Sequence, residues 1–475
     1  MIRPIRSALL LASAVLLAAC SGNSSNGPTG SISVLHASSN APAVNVLFNG
    51  VEAFPDLNYK EVQGDPNASA TSYPVRVDAI LADGSTANVI PGAMGDDPVV
   101  PLERNAQVTV IAYGDVGSMD RPLTATVATD PAPEVPSTDT RLQVFHAATN
   151  VSFVQVWVTA PGADLDPSDP SVVTAGFDYG TFLTPAPLQV PAGDYQIRVT
   201  PSISDTTVVY DTGTITLPGG ANLVVAAVPN TGAQNTGGDT APIQLIASTG
   251  AALLEFLDIN TISNVNVVHA SSDAPAVDVA VDGTVAITGL EFLETTEDPA
   301  SLAPGPVTFE VFASPAASNP DPVITAETSL VQGESATVLA VGSLSLDPEN
   351  PIEAIIVPET TRAIATEALV RIIHASVIAQ DVNIYVEDGG TLPLSGDIPN
   401  NVSPALSDVP FKAATDYLTF EPGRSYDIAI TQATSQTPAI GPLTITFDAG
   451  SIQTIVAHDG VNLDPAGLNV LLLDY

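Results

Sequence analysis

A histidine-centred phrase returns four times along this chain of 475 residues: Leu35-His36-Ala37-Ser38, Phe145-His146-Ala147-Ala148, Val268-His269-Ala270-Ser271 and Ile373-His374-Ala375-Ser376. The chain is therefore an array. The histidines lie 110, 123 and 105 residues apart, a period too long for a solenoid repeat and right for one small domain per copy.

Aligned on the histidines, the copies share a strand pattern. Four and two positions earlier stand Ile32 and Val34, Leu142 and Val144, Val265 and Val267, and Val370 and Ile372. A strand alternates faces, so each histidine shares a face with two apolar residues and should point toward a core or its rim. Eight, ten and twelve positions later come Val44, Val46 and Phe48, Val154, Val156 and Val158, Val277, Val279 and Val281, and Val382, Ile384 and Val386, a second half-buried strand. A late strand corresponds as well: Thr109-Val110-Ile111-Ala112, Val224-Val225-Ala226-Ala227, Thr337-Val338-Leu339-Ala340 and Thr454-Ile455-Val456-Ala457.

Short strands, 41 prolines, 34 glycines and almost no helical periodicity point to an all-β chain of four tandem antiparallel β-sandwich domains, immunoglobulin-like, with a closed barrel as the alternative. The expected layout is a signal peptide over 1–19, a lipidated cysteine and flexible tether over 20–30, and sandwiches over 31–129, 140–256, 262–358 and 366–475. A Pro-rich linker over 130–139 separates the first two. Each sandwich is expected to hold a separate core. Each should be about 35 Å across, so four end to end would reach on the order of 140 Å.

The start of the chain supports export. Arg3 and Arg6 precede an apolar run from Ala8 to Ala19, too short to span a membrane and of signal-peptide form. Leu17-Ala18-Ala19-Cys20 resembles the bacterial lipobox, which implies acylation of Cys20, the one cysteine of the chain. Ser21 after it resembles the outer-membrane sorting pattern. With that thiol committed, no internal disulfide is available and each domain must be stable through its core.

Acids number 52 against 12 Lys and Arg, and loss of Arg3 and Arg6 with the signal leaves 10 basic residues and a formal charge of −42. That excludes nucleic acid and anionic lipid surfaces as expected partners. Membrane contact is expected through the N-terminal lipid alone.

The His-Ala-Ser-x-(Asn/Asp)-Ala-Pro-x-Val-(Asn/Asp)-Val opening, Pro191-Ala192-Gly193-Asp194-Tyr195 and Thr337-Val338-Leu339-Ala340-Val341-Gly342 resemble a bacterial domain family known only as a domain of unknown function. The resemblance is strongest in the first and third copies and weakest in the second, where Ser152 replaces the turn proline. It implies tandem β-sandwiches on an exported protein or lipoprotein and brings no catalytic residues.

A histidine beside an acid could act as a general base or a metal ligand. The repeats test this internally. Nine positions after the histidine stand Asn45, Gln155, Asp278 and Asn383, and the hydroxyl at the second position is lost at Ala148. Partners that change while the histidine stays suit a structural role for His36, His146, His269 and His374, bonded to backbone at a strand end. No catalytic residue is assigned. His458 stands in the late strand where the other copies have Tyr113, Val228 and Val341, a position that needs bulk.

Acidic turns are the remaining candidates. Asp164, Asp166 and Asp169 place three carboxylates in six residues, and Asp347-Pro348-Glu349-Asn350 adds a second loop, both of the oxygen chemistry that Ca²⁺ takes. Trp157 and Tyr385 share an out-facing register, but the other copies have Leu47 and Ala280 there, and a shared aromatic platform for glycans would be expected to repeat.

The composite expectation is a non-enzymatic, lipid-anchored protein of the bacterial envelope, at the outer membrane or cell surface. Its four sandwiches would form a stalk or an adhesive and scaffolding array that meets a surface protein or polysaccharide. The alternatives are a module for extracellular polysaccharide or Ca²⁺ and a hydrolase with its site between repeats.

Overall fold

The protein is described from a computed structural model covering residues 27–475, apart from 92–94, 132–133, 185, 233–240, 297 and 394. The signal segment and Cys20 lie outside these residues. The chain forms two compact units, one holding the first two repeats and the other Thr261–Tyr475 with the last two.

In the first repeat the strands are β1 (Thr29–His36), β2 (Val44–Phe48), β3 (Val51–Leu57), β4 (Val62–Ser69), β5 (Ser72–Ile80), β6 (Thr86–Ile90), β7 (Val99–Pro101), β8 (Gln107–Tyr113) and β9 (Thr124–Asp130). One sheet has the order β4-β1-β8-β9 and the other β3-β2-β5-β6, with β7 added to β5. The other three repeats reproduce both orders, so the chain is four β-sandwiches of one topology. Most pairs are antiparallel. The histidine strand and the late strand are parallel in every repeat, as β1 and β8 are, and the long chain between them supplies the crossover a parallel pair needs.

Alternation builds each core. Ile32, Val34, Val108 and Val110 face Val44, Val46, Val75 and Val77 across the first sandwich, and the other three have equivalent sets. The opposite face of the histidine sheet is not solvent. Leu35 and Ile111 of the first repeat pack with Phe145, Val224, Val228 and Ile246 of the second. Val268, Leu339 and Val357 of the third pack with Ile373, Val456 and Leu473 of the fourth. Burial on both faces is the usual state of parallel strands.

Each sandwich keeps the core of its own that was expected, and a further apolar cluster joins the two sandwiches of a unit. Within each unit two sandwiches lie sheet against sheet, not end to end. Asp130, expected to open a linker, is buried at the end of β9 and ion-paired to Arg141 at 2.8 Å.

The two members of a unit are not equivalent. After the second strand the first and third repeats turn on Asn49-Gly50 and Asp282-Gly283, all four at positive φ, as a two-residue hairpin between right-twisted strands requires. In the second and fourth repeats the same connection widens into loops 160–172 and 389–405.

Candidate functional site: the histidine turns

Each histidine ends its strand inside a frame of backbone bonds. The His36 N–H donates to the Glu61 carbonyl at 3.1 Å, and the Lys60 N–H donates to the His36 carbonyl at 2.9 Å. The same two bonds join His146 to Thr181 and Gly180, His269 to Glu294 and Leu293, and His374 to Ala413 and Lys412. Lys60, Gly180, Leu293 and Lys412 all have positive φ. An aromatic residue just before each meets the imidazole edge to face: Tyr59 at 6.3 Å, Tyr179 at 5.9 Å, Phe292 at 6.2 Å and Phe411 at 6.2 Å.

The ring nitrogens are used in turn. Nδ1 accepts the backbone N–H two residues on, from Ser38, Ala148, Ser271 and Ser376 at 3.3 to 3.4 Å. Nε2 then carries the proton and donates to the carbonyl six residues on: Pro42 and Pro275 at 3.0 Å, and Gln380. All four rings are buried. Burial depresses the pKa of His269 and His374, opposed by the bonds to Pro275 and Gln380.

His146 differs. Ser152 stands where the turn proline would be, and His146 Nε2 has no partner among the described residues. Arg121 of the first repeat reaches across instead, donating to the carbonyls of Thr149 and Val151 and to Ser152 Oγ, and lying over the Tyr179 ring at 4.7 Å. Burial and the nearby Arg121 charge hold the His146 pKa down at about 4.

The other repeated polar positions are also structural. Ser38 Oγ and Ser271 Oγ donate to the carbonyls of Gly114 and Gly342. Both glycines have positive φ, and a Cβ there would lie 2.2 or 2.4 Å from the Pro122 or Pro351 oxygen. In the fourth repeat Asp459 takes that place, and its carboxylate accepts from Ser376 Oγ and the N–H groups of Val377 and Ile378. The third repeat runs the clasp in reverse. Asp273 accepts from Ser343 Oγ and from the N–H groups of Leu344, Ser345 and Leu346 at 2.7 to 3.0 Å. Burial alone would raise the Asp273 pKa, but these donors outweigh it and hold the carboxyl below its ordinary range.

Nine positions after the histidine, Asn45, Asp278 and Asn383 each offer Oδ1 to the N–H of a positive-φ residue across a β-bulge: Asp56, Gly289 and Asp408. An acceptor is needed there, not a base. His458 is buried against Phe292 of the third repeat at 5.8 Å, with Nδ1 bonded to the Asp459 carbonyl.

The acidic turn is opened outward. Asp166 and Asp169 accept the N–H and Oγ of Ser168 and Ser171, which lowers both pKa values, and Asp164 is exposed. Among the described residues no group of three or more His, Cys, Asp or Glu side chains converges as a metal site would. Asp347 likewise accepts from Glu349 N–H and Asn350 Nδ2.

The out-facing register of Trp157 and Tyr385 holds, but neither ring is open to solvent. Trp157 is 0% exposed and donates to Thr200 Oγ at 3.0 Å. Arg198, directly opposite on the next strand, ties down loop 160–172 through the Ala163 carbonyl. Tyr385 is buried with Leu392 and Ile398 of loop 389–405. Both rings face outward from the sheet, Tyr385 covered by loop 389–405 and Trp157 buried and bonded to the neighbouring strand.

No curated protein matches the chain. Among solved structures it is similar to the Bacillus anthracis TIE protein, at 10% identity and TM-score 0.14 over 89% of this chain and 68% of that one. A leucine-rich repeat protein from Bacteroides thetaiotaomicron is similar at 12% identity and TM-score 0.11 over 42% and 25%. Scores that low carry no argument. A family profile matches residues 30–157, 263–385 and 395–473. The first two segments each begin at the leading repeat of a unit and end in the second strand of its partner. With more than half of its length matched, the chain belongs to the family described as Domain of unknown function (DUF4397).

Proposed function

We propose that this protein is a non-enzymatic scaffold of the bacterial envelope, anchored by lipid at Cys20 and presenting loops from a constant β-sandwich framework to a surface protein or polysaccharide. The observation that carries the reading is the state of the four imidazoles. Nδ1 of each accepts a backbone N–H, and the serine hydroxyls two residues on bond to carbonyls or to Asp459 instead of to the ring. A nucleophile and base pair would need the hydroxyl to donate to the imidazole. Function then falls to loops on a rigid frame, the common division of labour in such folds.

The test is a cell-surface assay with two variants. Cys20→Ser should release the protein from the membrane fraction and abolish incorporation of a fatty-acid label. His269→Gln should leave adhesion or assembly intact at temperatures where the variant is folded. Retention of Cys20→Ser in the membrane would contradict the anchor. Loss of activity in folded His269→Gln would contradict the structural role.

A further inference from the structure

The strand that closes the histidine sheet on its late side is finished differently in the second and fourth repeats. In the second, Ile243–Ser248 is buried at every residue and is covered by one more strand, Leu253–Phe256. That strand packs Phe256 against the sandwich core and Leu253 against the cluster between repeats. In the fourth, the equivalent strand is Asp464–Asp474, the edge of its sheet among the described residues. Leu468 and Val470 are only partly buried against the core, and Leu472 is 42% exposed.

The edge also presents backbone. Tyr475 N–H donates inward to the Ile452 carbonyl. By the alternation of an antiparallel ladder, Val470, Leu472 and Asp474 turn their N–H and C=O groups outward, and the Val470 N–H is capped by Asn469 Oδ1 at 2.9 Å. Between Pro465 and Asp474 there is neither a proline nor a charge, the devices that usually blunt an edge. In the third repeat the edge strand Glu353–Glu359 likewise carries a proline and two acids, but the uncharged run between them, 354–357, is four residues long against eight, 466–473, in the fourth.

We propose that the Asp464–Asp474 strand is an interface for a second copy of this chain, joined antiparallel through the same strand. The second repeat shows that one added strand is what completes this edge. The sequence is self-complementary about Leu471: a twofold axis there sets Val470 opposite Leu472 of the other copy, and both are residues whose backbone faces outward. Each such pair exchanges two hydrogen bonds once the Val470 N–H leaves Asn469 Oδ1, and no like charges stand directly opposite. The acidic surface opposes association, so the dimer is favoured by salt.

Sedimentation velocity on the Cys20→Ser chain at about 0.1 mM, in salt from about 0.05 M to about 1 M, reads the proposal. The expected result is a dimer that strengthens with salt and weakens about tenfold or more in Leu472→Lys, with the melting temperature of that variant unchanged. Leu471→Cys in the Cys20→Ser background should form an intermolecular disulfide, because directly opposed residues in a non-hydrogen-bonded pair lie about 4.5 Å apart at Cα. A monomer at every salt concentration, or a dimer indifferent to Leu472→Lys, would overturn it.

Discussion

Arg121 of the first repeat donates to Ser152 Oγ of the second at 2.7 Å, so the histidine turn that lacks a proline is completed by its neighbour. Replacing Arg121 by Ala leaves the Thr149 and Val151 carbonyls without that donor. The expected loss is about 1 to 3 kcal/mol, the range for charge-assisted bonds to partly buried groups. Hydrogen exchange should show lost protection in both β1 and the Asp139–His146 strand. Loss confined to residues near Ser152 would mean that the repeats are not coupled there.

The depressed pKa of His146 gives a pH dependence. In the unfolded chain the imidazole takes its proton near 6.5, and in the folded chain only near 4. Between those values the unfolded state binds more protons, so stability is full above about pH 6.5 and falls as the pH drops toward 4. The shift corresponds to roughly 3 kcal/mol at most. His269 and His374 act in the same direction. Urea unfolding at several pH values in this window measures the slope, and His146→Phe should flatten it.

Asp273 is an acid whose ionised form the third repeat's turn holds. Its depressed pKa gives stability that is present above the ordinary carboxylate range and lost as the pH falls through the lower folded value. Asp273→Ala leaves the N–H groups of Leu344, Ser345 and Leu346 without their acceptor and should cost about 1 to 3 kcal/mol by thermal melting at neutral pH.

Trp157 is the chain's single tryptophan, so its fluorescence reports on the second repeat alone. Burial predicts emission shielded from acrylamide in the folded state and exposed on unfolding. Trp157→Ala should cost about 3 to 5 kcal/mol. A native-state signal open to quencher would restore Trp157 as a surface platform.

Much of the frame was legible because strand alternation is a local rule. Ile32, Val34 and His36 do share the core face, and the second and late strands lie where their apolar spacing puts them. The pairing of repeats was legible too, in the residue before each histidine. Leu35, Phe145, Val268 and Ile373 are apolar on the face that a one-sided strand would leave polar. The aromatic contacts were not. Tyr59 and Phe292 follow their histidines by 23 residues, whereas Tyr179 and Phe411 follow by 33 and 37, and the widened loops shift them out of register. The covering of Tyr385 depends on loop 389–405, whose irregular sequence carries no period to read.

Two repeats form one structural unit through the reverse faces of their histidine sheets, and native-state hydrogen exchange of Leu339→Asp measures that coupling. Leu339 is fully buried among Val268, Ile373 and Val456, so an unpaired carboxylate there cannot be accommodated without separating the sheets. Amide protection should be lost in the fourth repeat's Ala368–His374 strand as well as in the third repeat. Full protection of Ala368–His374 alongside a disrupted third repeat would contradict it and return the chain to four independent sandwiches.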